Sequence, residues 1–292
     1  QGLTGEPLLR KLLRDFDRPQ DMPLRDFSGS FAMVFSVGQA TWLFNDAVGI
    51  HKIYSCLNGR VHSSSLLLCR HLLRQPKVDR LRAQEYVLLG GTHALQTPIA
   101  GVTVLEPTQG LELVSGQKAT LYPPQAWRIA ARLRSADEAV DTLSDMIAAE
   151  FAGMRQAFGG PIGMALSGGF DSRLILAALD HHKVSPRLYV YGAKDMDDVQ
   201  IATAKAADLE LPIECVDKRR ANAELPALSR QRLQDNINFF DGLPVDGVFD
   251  RGTDQATRLR QVQGGTLNLN GGGGEILRNF FYLPDKGFSA ND

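Results

Sequence analysis

The chain has 292 residues, 43% of them hydrophobic, and a formal net charge of −1 from 32 basic and 33 acidic side chains. That is enough apolar material for a sizeable core and enough length for two domains, and the charge balance excludes the broad basic footprint of a nucleic-acid-binding protein. No stretch is long and apolar enough to span a bilayer and no signal peptide is evident, so membrane partners are not expected. The three cysteines, Cys56, Cys69 and Cys215, follow no metal spacing and are odd in number, which reads as a reduced, cytoplasmic protein. Cys215 falls in an apparent strand and is expected in the core.

From residue 27 to about 122 the signals are mainly β. Residues 29–37 form a compact apolar strand, Gly38-Gln39 a turn, and 40–44 the returning strand. Residues 53–56 and 60–63 flank Asn58-Gly59, a strong hairpin signal. Short helices are expected over 66–73 and 84–89, and further strands over 102–105, 111–114 and 119–122, before Pro123-Pro124 closes the region. Arg60, Arg70, Arg74, Lys77, Arg80 and Arg82 make one stretch locally basic, and without interleaved aromatics it reads as a solvated helical face.

A domain boundary is placed between 126 and 127. The second region, 127–292, opens with the clearest helix, 136–158, where Ser135 and Glu138 form a capping-box pattern. Val140, Leu143, Ile147, Phe151, Met154 and Phe158 recur there at steps of three and four, and Gly159-Gly160 end the helix. A buried strand over 161–166 leads through a small-residue loop to a helix over 171–182, whose final His181 and His182 suit the negative end of the helix dipole better than catalysis. Strands then follow over 188–191, 213–216 and 267–270, with helices over 198–209 and 275–282. Strands alternating with helices mean a parallel sheet with crossover connections, so the fold class is α/β: an antiparallel β-rich region followed by a parallel-sheet domain.

The loop between strand 161–166 and its helix reads Ser167-Gly168-Gly169-Phe170-Asp171-Ser172. Backbone donors at a helix N-terminus, with two hydroxyls beside them, suit a pyrophosphate or triphosphate chain; the alternative is an ordinary strand–helix turn. A Walker loop needs a lysine and a hydroxyl residue after its last glycine, and a dinucleotide fingerprint needs Gly-x-Gly-x-x-Gly, and neither is present. In parallel sheets ligands sit beyond the carboxyl ends of the strands. Three loops are expected to converge there, over 167–172, 191–198 and the glycine run 271–274. Asp198 reads as the N-cap of the helix that follows it, with magnesium binding by Asp197 or Asp198 as the alternative.

Ser-Gly-Gly-Phe-Asp-Ser resembles the pyrophosphate loop of the N-type ATP pyrophosphatases, which split ATP between its α and β phosphates to adenylate a substrate. With both regions in view the resemblance narrows to the asparagine synthetase family. Asn45-Asp46-Ala47-Val48-Gly49-Ile50-His51-Lys52-Ile53-Tyr54 is similar to that family's Arg-Asp-x-x-Gly-x-x-Pro-Leu-Tyr. Residues 24–37 resemble the segment entering a core strand of its glutaminase domain, and Ser63-Ser64-Ser65 resembles the next strand end. Residues 271–275 resemble Gly-Asp-Gly-Gly-Asp-Glu.

The resemblance implies an N-terminal nucleophile glutaminase-like remnant over 1–126 and an adenine-nucleotide α-hydrolase-like synthetase domain over 127–292. It implies ATP and Mg2+ as cofactors, a small carboxylate and an amine or ammonia as substrates, an amide-forming ligase activity of the asparagine-biosynthesis type, and homodimeric assembly. Ser167, Gly168, Gly169 and Ser172 would hold the pyrophosphate. Leu166, Tyr191 and Gly192 would border the adenosine, with Asn270 and Gly271 adding contacts, and Asp171 and Glu275 would serve the metal and the chemistry. The family's cysteine nucleophile and Gly-Asn oxyanion segment are not found, so glutamine hydrolysis is not expected. Glycines stand at 271 and 274 where the family has acids, which is expected to weaken the magnesium site. A fragment of a longer polypeptide is expected. Other amide-forming acyl-adenylate synthetases of the fold, acting in β-lactam, peptide-cyclising, natural-product or glycan pathways, and a non-catalytic ATP-binding relative remain the alternatives.

Overall fold

The expected turn at Gly38 forms, with φ +60. It joins β1 (Ala32–Val37) to β2 (Ala40–Asn45) in antiparallel register, with Val37 opposite Ala40. The second hairpin pairs β3 (Tyr54–Cys56) with β4 (Val61–Ser63), and β3 also pairs β5 (Thr103–Val104). The turn at Asn58-Gly59 is left-handed, and Leu57 beside it also has positive φ. β6 (Gln109–Glu112) and β7 (Lys118–Thr120) complete a four-stranded antiparallel sheet in the order β1-β2-β6-β7, beside a three-stranded one, β4-β3-β5. The computed structural model that supplies these coordinates describes residues 3–122, 135–243 and 246–273.

Two apolar clusters anchor these sheets. Phe35, Trp42 and Phe44 from β1 and β2 are buried with Met22, Leu24, Leu121 and Tyr122. α1 (Gly5–Asp15) joins them through buried Leu12 and partly buried Leu8, an i,i+4 pair on one helical face. Tyr54, Cys56, Leu66, Cys69 and Val102 form a second cluster under β3. α2 (Leu66–Leu72) supplies two of these residues, and α3 (Arg80–Leu89) runs from its Asp79 cap to left-handed Gly90.

The Asn-Asp-x-x-Gly segment after β2 is a turn scaffold. The Asp46 carboxylate accepts the N–H groups of Ile50 and His51, both at 3.0 Å. Gly49 has φ +66, and a Cβ there would lie 2.6 Å from Pro107 Cγ, so no other residue fits. Glu112 closes the β6–β7 hairpin in the same manner. Its carboxylate takes the Thr41 N–H at 3.0 Å, the Val114 N–H at 3.1 Å, and both the N–H and the hydroxyl of Ser115.

A long helix, α4 (Ala136–Ala157), leads into the parallel sheet. Only the C-terminal part of its expected apolar stripe packs: Phe151 and Met154 lie against the core, whereas Val140 and Leu143 are exposed. There follow β8 (Ile162–Ala165), α5 (Phe170–His181), β9 (Arg187–Tyr191), α6 (Asp197–Asp208), β10 (Ile213–Val216) and α7 (Lys218–Glu224). After α8 (Arg230–Phe239) and α9 (Thr253–Gln261) comes β11 (Leu267–Leu269). The four strands are all parallel in the order β10-β9-β8-β11. The chain therefore steps from β8 to β9 to β10 in one direction, and β11 is added on the other side of β8. Ile162, Met164, Leu166, Leu176, Leu179, Leu188 and Val190 fill the core on which α5 and α6 lie. Cys215, expected in that core, is exposed instead, because β10 is the edge strand of the sheet. The helix expected over 275–282 lies outside the described residues.

The chain divides into two units that do not follow one cut. One comprises 1–136 with 230–249, the other 137–229 with 250–292. The expected boundary at 126/127 therefore misses the return of α8 and its following turn to the first unit. The physical reason is visible at Asp241. With left-handed φ of 53, it accepts the Leu66 N–H at 2.6 Å, the Leu67 N–H at 3.2 Å and the Ser65 hydroxyl. Those are orphan donors at the start of α2. Beside it Leu243 packs on the Tyr54–Cys69 cluster, and a Cβ on Gly242 would strike Leu67 Cδ2 at 2.8 Å.

Two measurements test these turns. Replacing Asp241 with alanine removes the long-range cap and leaves a β-carbon in a left-handed conformation. A loss of about 1–2 kcal/mol is expected in denaturant unfolding, and a loss within error would show that α2 does not depend on it. Glu112 is held down to about 2, first by the Ser115 hydroxyl and then by the N–H groups of Ser115 and Thr41. Its depressed value means that its contribution is complete above the ordinary 4.5 and fades as pH falls toward 2. Unfolding midpoints of wild type and Glu112→Gln should therefore differ at neutral pH and converge on acidification through that window. Parallel curves would refute the assignment.

Candidate functional site

The strand order reverses at β8, with β9 and β10 on one side and β11 on the other, and in open parallel sheets ligands bind beyond the carboxyl ends of the strands at such a reversal. The loop after β8 lies at that end of the sheet. Leu166 is buried in the sheet core and donates its N–H to the Tyr189 carbonyl at 2.9 Å, so only its backbone edge can meet a ligand. Ser167, Gly168 and Gly169 then turn the chain into α5, whose N-cap is Gly169 and which has no side-chain cap.

Two serines brace the turn. Ser172, 5% exposed, accepts the Ser167 N–H at 3.1 Å, and its hydroxyl is within reach of the Ser167 and Gly169 carbonyls. The Ser167 and Ser172 hydroxyls are 3.1 Å apart, and Ser167 Oγ accepts the Gly169 N–H at 3.2 Å. Asp171 occupies the first turn of α5 and is half-buried.

The second expected loop reaches this turn through a residue given another role by the sequence. α6 begins at Asp197 with Met196 as N-cap, so Asp198 lies inside the first turn and is not the cap. Its Oδ1 instead accepts the Gly168 N–H at 3.1 Å. A Cβ on Gly168 would stand 2.6 Å from that oxygen. Gly192, after β9, has φ +137, and its Cβ position is closed by Met196 Sδ at 2.9 Å and Val199 Cγ2 at 3.0 Å. Tyr191 is held by the Gln261 amide, which donates to its hydroxyl, and Lys218 Nζ lies 3.9 Å above its ring centroid. Lys218 is in turn paired with Asp254, which also binds Arg258. Burial raises the Asp254 carboxyl, but these two cations outweigh it and hold it below the ordinary range.

The third loop meets the first directly. Asn270 Oδ1 accepts the Gly272 N–H at 2.8 Å, turning the chain after β11. A Cβ on Gly271 would lie 2.9 Å from the Ser172 nitrogen and 3.0 Å from Asp171 Cβ. The backbone of Gly271 thus rests on the first turn of α5, and a side chain there would require one of the two segments to move. Gly274 and Glu275 lie outside the described residues, so Asp171 is the expected metal ligand that the structure describes. Among the described residues no group of three or more His, Cys, Asp or Glu side chains could hold a metal ion.

Of the residues singled out in the sequence, Ser167, Gly168, Gly169, Asp171, Ser172 and Gly271 come together at one helical turn, with Asn270 shaping the approach. Tyr191 and Gly192 end the neighbouring strand and are engaged with Gln261, Lys218 and α6. The sequence marks Asp198 as a cap, and its spacing alone does not reveal its bond to Gly168. Arg173, one residue beyond the motif, gave no sequence signal, yet its Nε donates to the Gly169 carbonyl at 3.3 Å and its guanidinium carbon lies 4.4 Å from the Phe170 ring centroid.

The close approach at Gly271 predicts that Gly271→Ala destabilises the chain by about 1–3 kcal/mol, because a methyl group is forced against backbone that cannot swing aside. Chemical denaturation measures this directly, and an unchanged midpoint would mean that the third loop does not rest on α5. Comparison with protein-family models and with curated proteins gives no match for this chain.

Proposed function

We propose that the second unit is the nucleotide-binding domain of an ATP-dependent carbon–nitrogen ligase that adenylates a carboxylate, and that the first is a glutaminase-type β domain. One observation carries the reading: the Ser-Gly-Gly-Phe-Asp-Ser loop joins the inner strand β8 to α5 beside the reversal of strand order, with the backbone of Gly271 against the same turn. In this reading the pyrophosphate of ATP lies along the loop, and the backbone edges at Leu166, Gly192 and Asn270 border the adenosine. A substrate carboxylate oxygen attacks the α-phosphorus, the bond to pyrophosphate breaks, and an amine or ammonia then displaces AMP to give the amide. The protein contributes positioning and charge neutralisation. Magnesium prefers phosphate oxygens, water and few carboxylates, so it would be held chiefly by ATP with Asp171, and with Glu275 as the further candidate. It would neutralise phosphate charge.

The three free cysteines fit the reducing, cytoplasmic setting that belongs to this reading. Among the described residues no helix is long and apolar enough to cross a membrane. A second reading, nucleotide binding without ligation, is favoured by the glycines at 271–274 and by the packing that denies Gly271 a side chain.

The full chain should bind ATP in calorimetry, and Ser167→Ala should weaken binding by about 1–3 kcal/mol through loss of a hydrogen bond to a charged group. Equal affinities for wild type and variant would remove the loop from the site. Pyrophosphate release with ATP, magnesium, ammonia and a panel of carboxylates separates the two readings: binding without release leaves only the second.

A further inference from the structure

The N–H groups of Ser167, Gly168 and Gly169, which lead the chain into α5, are already engaged within the protein. Ser172 Oγ takes the Ser167 N–H, Asp198 Oδ1 takes the Gly168 N–H and Ser167 Oγ takes the Gly169 N–H. The loop has no lysine, and the acids Asp171 and Asp198 border it. Lys218, beyond β10, is committed to Asp254. A polyphosphate in this place therefore needs a positive charge from another source.

Arg173 has the geometry to supply it. It sits in the second turn of α5, where side chains lean toward the helix N-terminus. Two contacts fix that direction. Nε donates to the carbonyl of Gly169, the N-cap residue, at 3.3 Å, and the guanidinium lies over the ring of Phe170, 4.4 Å from its centroid. Phe170 is itself 73% exposed, so the stack forms on the open side of the turn and not in the core. Among the described residues no carboxylate pairs with Arg173, and its terminal Nη groups make no hydrogen bond. A guanidinium held by its Nε and its face still offers a fork of N–H donors, the arrangement that matches two oxygens of a phosphate.

We propose that Arg173 is a phosphate-contacting residue that gives the polyphosphate of a bound nucleotide the positive charge missing from the loop. The assignment rests on the nucleotide reading above and adds to it a residue outside the motif. Calorimetry on the full chain with ATP and with adenosine as separate probes tests it. Arg173→Gln should lose roughly tenfold or more in ATP affinity while adenosine affinity changes by less than about twofold. Arg173→Lys should recover part of the loss. The decline of ATP affinity with added salt should be shallower for Arg173→Gln than for wild type, since one charge contact is gone. Equal ATP affinity and equal salt dependence in wild type and Arg173→Gln overturn the assignment. So does a matching loss for ATP and adenosine, which would mark a role in shaping the turn. If wild type binds neither ATP nor adenosine, the nucleotide reading falls and this assignment falls with it, a result distinct from the other two.

Discussion

The carboxyl edge of the parallel sheet depends on backbone contacts that leave no room for a β-carbon. Gly168 follows β8, Gly192 follows β9 and Gly271 follows β11. Side chains at these positions would meet Asp198 Oδ1 at 2.6 Å, Met196 Sδ at 2.9 Å and the Ser172 nitrogen at 2.9 Å. Each strand end is therefore drawn against the start of a helix, those after β8 and β9 against α6 and that after β11 against α5. Interiors packed at this density transmit small changes instead of absorbing them, so the three loops keep a common geometry.

The first unit solves a different problem with carboxylates. Its short strands leave turns whose N–H groups have no ladder partner, and Asp46, Glu112 and Asp241 each collect two or more of them. Acids of this kind resemble general acid–base candidates when only the sequence is available. Here their lone pairs are occupied by backbone donors, and Glu112 and Asp46 are held below the ordinary carboxylate range for that reason. Paired acids would be the wrong place to look for chemistry in this unit.

The strands and helices were legible where the signal is local. Asn58-Gly59, Gly38-Gln39 and the run from β8 to β10 carry their turn chemistry and apolar periods in neighbouring residues. The loop 167–172 was legible because small residues between an apolar strand and an apolar helix have few other uses. α7, α8 and α9 were not. They are polar on most faces, and α7 has no buried residue. The bond from Asp198 to Gly168 spans 30 positions and that from Asp241 to Leu66 spans 175, distances over which no periodicity reports. The burial of Cys215 failed for a related reason: a strand's own residues do not say whether it lies inside a sheet or at its edge.

The return of residues 230–249 to the first unit has a consequence for the order in which this polypeptide can fold. A ribosome presents the strands of that unit early, but the carboxylate that closes α2 is synthesised 175 positions later. Loop-closure entropy grows slowly, at about 0.6 kcal/mol for each doubling of length, so the equilibrium scarcely registers the delay. The kinetics do register it. Until Asp241 and Leu243 emerge, the α2 donors stay open and the Tyr54–Cys69 cluster lacks its cover, leaving nascent apolar surface exposed while the whole parallel sheet up to β10 is being made.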